Sequence, residues 1–213
     1  MGHSRCEVMA SPPCDSTAEP MHSDEVVLVP VKAFREAKQR LAPVLSPLER
    51  VTLVRALATA VVQAATPQPV VVVCDDEDVA QWASQLDARV LWLPGRGLNA
   101  AVRQGVETLA AEGVTTVTVA HGDLAAPSAL GSLQTSAEVT IVPDHRGDGT
   151  PVLRLPAGLG FEFSYGPGSF ARHLRHAQLL DISVEVLRDH PLSVDIDVPS
   201  DLELLDLGRL LNS

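Results

Sequence analysis

Two carboxylates stand two residues apart in Asp195-Ile196-Asp197-Val198-Pro199. Side chains alternate along an extended segment at ~3.3 Å per residue, so both acids project to one face, roughly 6.6 Å apart, while Ile196 turns inward. Like charges at that spacing repel unless a cation lies between them, and the pair is suited to hold a hard metal ion. A solvated acidic strand end before a helix is the plainer reading of the stretch alone. A third acid, Asp123, shifts the balance: the β-branched run Thr116-Val117-Thr118-Val119-Ala120 ends in His121-Gly122-Asp123. Open α/β sheets bind ligands at the carboxyl ends of their strands. Three oxygen donors from two such ends, without Cys or His at matching spacing, favour Mg2+ or Mn2+ over zinc. His121 is read as a structural hydrogen-bonding residue rather than a ligand.

A cluster of cations faces these acids in sequence logic. Val31 to Leu41 carries Lys32, Arg35, Lys38 and Arg40 just after the first apolar run. Lys32, Lys38 and Arg40 could each neutralise part of a polyphosphate, Arg as a planar fork and Lys as a point charge. An amphipathic solvated loop is the alternative. The spacing is not that of a Walker loop, nor is there a Gly-x-Gly-x-x-Gly turn after the first strand. Gly95-Arg96-Gly97-Leu98-Asn99-Ala100-Ala101 lets backbone approach a base or ribose, or serves as an ordinary strand-to-helix turn. Gly166-Pro167-Gly168-Ser169-Phe170-Ala171-Arg172 is a second glycine turn, with Ser169 as the expected N-cap of a helix. Free N–H groups at that helix start would hold a carboxylate or phosphate, or the cap needs no ligand.

The elements that must position these groups follow from patterning. The chain has 213 residues, 46% hydrophobic and only 3% aromatic, enough for one sizeable aliphatic core. A net charge of -11 argues against nucleic acid or an anionic membrane as partner. Cys6, Cys14 and Cys74 form no metal-binding spacing and fit a reduced, cytoplasmic protein. No run approaches the ~18 apolar residues of a membrane span. Residues 1–24 read as a disordered leader without a signal-peptide core, or equally as the product of a start codon assigned too far upstream, and residues 25–213 as one domain. Strands are expected at Val26–Val31, Val70–Val73, Arg89–Trp92, Thr115–Ala120, Glu138–Val142, Pro151–Leu155 and Val184–Arg188. Helices are expected at Pro47–Ala64, Glu77–Leu86, Leu98–Ala111 and Ser169–Leu179, with Ser200 to Leu211 closing the chain. Ser46-Pro47-Leu48-Glu49 is a capping box with proline at the first helical position. The alternation predicts an α/β fold: a mostly parallel sheet with flanking helices.

Six short motifs in order make the chain resemble the guanylyltransferases of deazaflavin coenzyme F-420 biosynthesis, from about Val26 to Leu205. They are Val29-Pro30-Val31-Lys32 with Ala37 to Leu41; Gly95 to Ala101; Gly122-Asp123-Leu124; Pro143-Asp144 with Gly147-Asp148-Gly149-Thr150; Gly166 to His173; and Asp195-Ile196-Asp197. The resemblance implies a single-domain, nucleotidyltransferase-like (Rossmann-like) fold. It also implies transfer of GMP from GTP to phosphoenolpyruvate or 2-phospho-L-lactate, with pyrophosphate released and the product handed to the next pathway enzyme. In that mapping Asp123, Asp195 and Asp197 are catalytic and hold Mg2+, and Thr150, Gly166 and Ser169 bind the acceptor's carboxylate. Lys32, Lys38 and Arg40 take the GTP phosphates; Gly97 and Asn99 take the guanosine. The chain departs from the family pattern at Val198, where Thr is usual, at Ala125-Ala126, where proline is common, and at Asp148, an added acid. A related nucleotidyltransferase using 3-phosphoglycerate, a molybdopterin or a sugar phosphate, and a non-catalytic nucleotide binder, are the alternatives.

Overall fold

The computed structural model describes residues 23–133 and 135–205. The expected leader lies outside these residues except for Ser23 and Asp24, and so does the chain beyond Leu205. Seven strands form one sheet: β1 (Glu25–Pro30), β2 (Val70–Cys74), β3 (Arg89–Trp92), β4 (Thr116–Ala120), β5 (Val139–Val142), β6 (Val152–Pro156) and β7 (Val184–Val186). Their order is β3-β2-β1-β4-β6-β5-β7. β6 runs antiparallel to both its neighbours, and the remaining pairs are parallel. The expected mostly parallel sheet is thus present, with one reversed strand that the apolar pattern did not reveal. Leu28 of β1 registers with Val71 of β2 and Val119 of β4.

Both faces are covered, which is why the strands read as unbroken apolar runs rather than alternating ones. Val27 and Val29 pack with helices α1 (Pro47–Ala64) and α2 (Glu77–Ser84). Val26 and Leu28 pack with α3 (Leu98–Ala111) and α4 (Ser169–Leu179) on the other face. Helix α1 begins as expected: the Ser46 hydroxyl accepts from the Glu49 N–H at 3.3 Å, and the Glu49 carboxylate accepts from the Ser46 N–H at 2.8 Å. Helix α2 stops at Ser84, short of the expected Leu86. Asp87 takes a left-handed φ of 56°, and the Ala88 N–H returns to the Ala83 carbonyl, so the chain turns into β3. The last described element is a 3-10 segment, Pro199–Leu204.

The winding direction reverses at β1. The chain moves outward through β2 and β3, then α3 carries it back to β4 on the opposite side of β1. The carboxyl ends of β1 and β4 therefore diverge into a crevice, the place where doubly wound sheets bind ligands.

Candidate active site

At that crevice lies an open cleft of about 700 Å³, bordered by the loop after β1, by the end of β4 and by the segment 195–198. The acids are brought together by backbone pairing. Leu124 and Asp195 form an antiparallel bridge. The Ala125 N–H donates to the Val194 carbonyl at 2.8 Å, and the Ile196 N–H to the Asp123 carbonyl at 3.2 Å. Ile196 is wholly buried, so its neighbours Asp195 and Asp197 both face the cleft, as alternation requires.

Asp201 fixes the far end of this segment, a role not foreseen from sequence. Its Oδ2 accepts from the N–H groups of Asp197 and Val198 at 2.8 and 2.9 Å, and Arg146 pairs with its other oxygen. Burial alone would raise the Asp201 carboxyl, but these donors outweigh it and hold it below the usual carboxylate range. The third-position acid after Val198-Pro199 was the available signal, since it is the returning half of a capping box.

The cations divide into distinct roles. Lys38, in a left-handed turn at φ 53°, sends its ammonium between Asp123 and Asp197, 2.9 Å from Oδ1 of Asp197. Arg40 reaches Oδ2 of Asp197 at 3.2 Å. Arg35 instead pairs with Asp76, the N-cap of α2. Lys32 is exposed at the cleft edge and has no carboxylate partner among the described residues.

The charges are unevenly satisfied. Burial pushes the Asp123 carboxyl up, but Lys38 beside it prevails and holds it below its ordinary value. The Lys38 ammonium is itself partly desolvated, yet the two acids keep it above the ordinary lysine value. Asp195 is pushed up to about 7, first by burial and then by repulsion from Asp123, Asp197 and Asp144. Oδ1 of Asp123 and Oδ1 of Asp195 are buried without any hydrogen-bond partner. Buried carboxylate oxygens are ordinarily paired, so two unpaired ones in one acidic cluster indicate a missing positive partner. In kind, this all-oxygen set fits a hard divalent cation. Among the described residues no three such donors are already gathered around one point. The Lys38 ammonium lies between Asp123 and Asp197 and leaves Oδ1 of Asp123 and Oδ1 of Asp195 unpaired.

The opposite wall is built on Asp144. Its carboxylate accepts from the N–H groups of Arg146, Asp148 and Gly149 at 3.1, 2.8 and 2.8 Å. A Cβ on residue 149 would lie 2.7 Å from that carboxylate, so only glycine allows the approach. Asp148 ties this turn to the next: its Oδ2 accepts from the Gly168 N–H at 3.0 Å and its carbonyl from the Phe170 N–H at 3.0 Å. The helix start is thereby already engaged. The Ser169 N–H goes to the Gly166 carbonyl, and Gly168 rather than the expected Ser169 is the N-cap. What faces inward is hydroxyl: Ser169 Oγ lies 3.4 Å from Thr150 Oγ1, both residues are 1% exposed, and both border the cleft with Gly166.

Two further residues singled out in the sequence lie as follows. Gly97 and Asn99 do not line the cleft; the Asn99 carboxamide instead clamps the backbone of Tyr165, accepting its N–H at 2.6 Å, and so joins the two glycine turns. His121 borders the cleft against Tyr165, but its Nε2 is buried and unpartnered, so the expected structural hydrogen bond at that atom is missing.

Comparison with known proteins places the chain in a family. Residues 25–208 match the family model described as guanylyl transferase CofC like. The chain is 34% identical over 189 residues to a phosphoenolpyruvate guanylyltransferase of Sphaerobacter thermophilus, covering 84% of this chain and 91% of that one. It is 32% identical over 183 residues to a 2-phospho-L-lactate guanylyltransferase of Methanothermobacter thermautotrophicus, covering 82% and 81%. Among solved structures, a nucleotidyl transferase from Methanothermobacter superposes with a TM-score of 0.63 at 21% identity, covering 88% of this chain and 98% of that one. A 4-diphosphocytidyl-2C-methyl-D-erythritol synthase superposes at 0.61 and 17% identity, covering 88% and 97%. These two likenesses speak for the nucleotidyltransferase fold.

Proposed function

We infer the reaction from membership and geometry together: the chain belongs to the CofC-like guanylyl transferase family, and it transfers GMP from GTP to the phosphate of phosphoenolpyruvate or 2-phospho-L-lactate in coenzyme F-420 biosynthesis. The observation that carries this reading is the meeting of Asp123, Asp195 and Asp197, two of them with unpaired buried oxygens, across one cleft from the Thr150 and Ser169 hydroxyls. That cleft has an end for a metal-bound polyphosphate and an end for a small anion.

A phosphate oxygen of the acceptor attacks the α-phosphorus of GTP, the bond from that phosphorus to the bridging oxygen breaks, and pyrophosphate departs with the electron pair. A new phosphate anhydride remains. A phosphate monoester has a second pKa near ~6 and is already mostly dianionic at neutral pH, so no protein base has to activate it. The work left to the chain is to bring anions together in line. Lys32, exposed at the edge, and Arg40 meet GTP phosphates, and Lys38 exchanges Asp123 and Asp197 for phosphate oxygens as the nucleotide enters. Thr150, Ser169 and the Gly166 turn hold the acceptor's carboxylate. Asp123, Asp195 and Asp197 would hold Mg2+, which when bound neutralises charge on the transferring phosphoryl group and the leaving pyrophosphate. The substrates named here, GTP and a small phospho-acid, support a cytoplasmic location. Among the described residues no helix is long and apolar enough to cross a membrane.

The test is pyrophosphate release with GTP and Mg2+, run in parallel with phosphoenolpyruvate, 2-phospho-L-lactate and 3-phosphoglycerate, with ATP and CTP as controls. Release with GTP and one of the first two acids is expected. Release only with 3-phosphoglycerate, or with no acid while GTP still binds, would contradict the assignment.

A further inference from the structure

His173 is wholly buried on α4, behind the Thr150 and Ser169 hydroxyls. Its Nε2 accepts the backbone N–H of Ser164 at 2.9 Å, and its Nδ1 lies 3.1 Å from Thr150 Oγ1. A backbone N–H can only donate, so Nε2 carries no proton and the single ring proton resides on Nδ1. The ring therefore donates to Thr150. Burial and the nearby Arg172, His121 and His176 also keep this imidazole neutral, pushing it down to about 4.

The consequence is a count of hydrogens. Thr150 and Ser169 have one hydroxyl hydrogen each, and the contact between them uses one, in whichever direction it runs. Neither hydroxyl has another acceptor among the described residues. One hydrogen is left over and must be satisfied from the cleft. With the opposite tautomer Thr150 would donate inward to Nδ1, and the pair could accept as readily as donate. We propose that His173 is a positioning residue for the acceptor, its Nδ1–H obliging the Thr150–Ser169 pair to present a hydroxyl hydrogen to an anionic oxygen, here the carboxylate of the phospho-acid. The inference rests on the reading that these hydroxyls meet the acceptor, and it adds the reason they select an anion.

The test combines tautomer and kinetics. Long-range 1H–15N correlation of the ring nitrogens in the ligand-free protein at pH 7.5 reports the tautomer without any substrate. Steady-state pyrophosphate release then compares the wild type with Thr150→Val, His173→Phe and His173→Asn. An Nδ1–H resonance is expected. Loss of a donor to a charged group corresponds to a ~10- to 100-fold rise in KM for the acid in Thr150→Val and His173→Phe, with KM for GTP unchanged. The Asn carboxamide can place a donor where Nδ1–H stands, so His173→Asn recovers most of the loss. The double variant should be no worse than Thr150→Val, because both remove the same interaction. Turnover by the wild type combined with an Nε2–H tautomer, or with equal losses toward both substrates in His173→Phe, overturns the inference alone. No turnover by the wild type with any acid overturns the guanylyl-transfer reading and the carboxylate assignment with it.

Discussion

At the scale of single residues, the cleft holds like charges together at a cost in stability. Asp195 carries a buried oxygen with no partner among three neighbouring acids, an arrangement that costs free energy in the ligand-free protein. Asp195→Asn removes a charge from that cluster. It should raise the melting temperature of the ligand-free protein while lowering turnover at least ~100-fold, the scale of removing a transition-state electrostatic contact; calorimetry and pyrophosphate release check the two halves separately. Lys38 supplies the complementary case. Its ammonium pairs with both Asp123 and Asp197 in the ligand-free protein, with Arg40 beside it on Asp197 alone. Lys38→Met should therefore let the nucleotide-free protein bind Mn2+ at least ~10-fold more tightly, read by electron paramagnetic resonance, because a resident cation worth ~1.4 kcal/mol or more is gone. Weaker binding in the variant would mean that Lys38 does not compete for the acids.

At the scale of elements, α4 joins the site to acid stability. His173 is neutral in the fold and held down to about 4, whereas in the unfolded chain it titrates near its ordinary ~6.5. A histidine depressed in this way contributes stability that is complete above pH ~6.5 and is lost as pH falls toward 4, since the unfolded chain takes up the proton first. At 1.36 kcal/mol per pKa unit the loss amounts to about 3 kcal/mol. Denaturant titrations from pH 7 to pH 4 should show a smaller decline in His173→Asn than in the wild type; parallel declines would contradict the linkage. Elements are also where legibility divides. The capping box at Ser46, the apolar strand runs and the Asp195/Asp197 alternation were readable because their signals lie within a few residues. The reversed strand β6, the anchoring of Asp201 by Arg146, and the pairing of His173 with Thr150 depend on contacts 23 to 55 residues apart or on sheet order. Patterning does not encode such contacts. The clamp of Asn99 on Tyr165 was likewise not legible, because a polar residue at a helix start serves a neighbouring backbone as readily as a ligand.

At the scale of the whole molecule, the family match begins at residue 25, where β1 starts, and the Asp24 carbonyl accepts the N–H groups of Thr115 and Thr116 at the foot of β4. The folding unit we propose therefore begins beside residue 23. A chain shortened by its first 22 residues should keep its melting temperature and its kcat/KM for GTP within about twofold, the scatter of changes remote from folded elements. A larger loss would assign those residues a part in the site.

In the proposed reaction an oxygen of the acceptor's own phosphate displaces pyrophosphate from GTP in this cleft. The most direct measurement is 31P NMR of a reaction run with acceptor labelled with 18O in its phosphate. Direct transfer gives a coupled pair of anhydride resonances, with 18O retained at the new bridge and pyrophosphate free of label. Label in pyrophosphate, or free GMP in place of the anhydride, would contradict it.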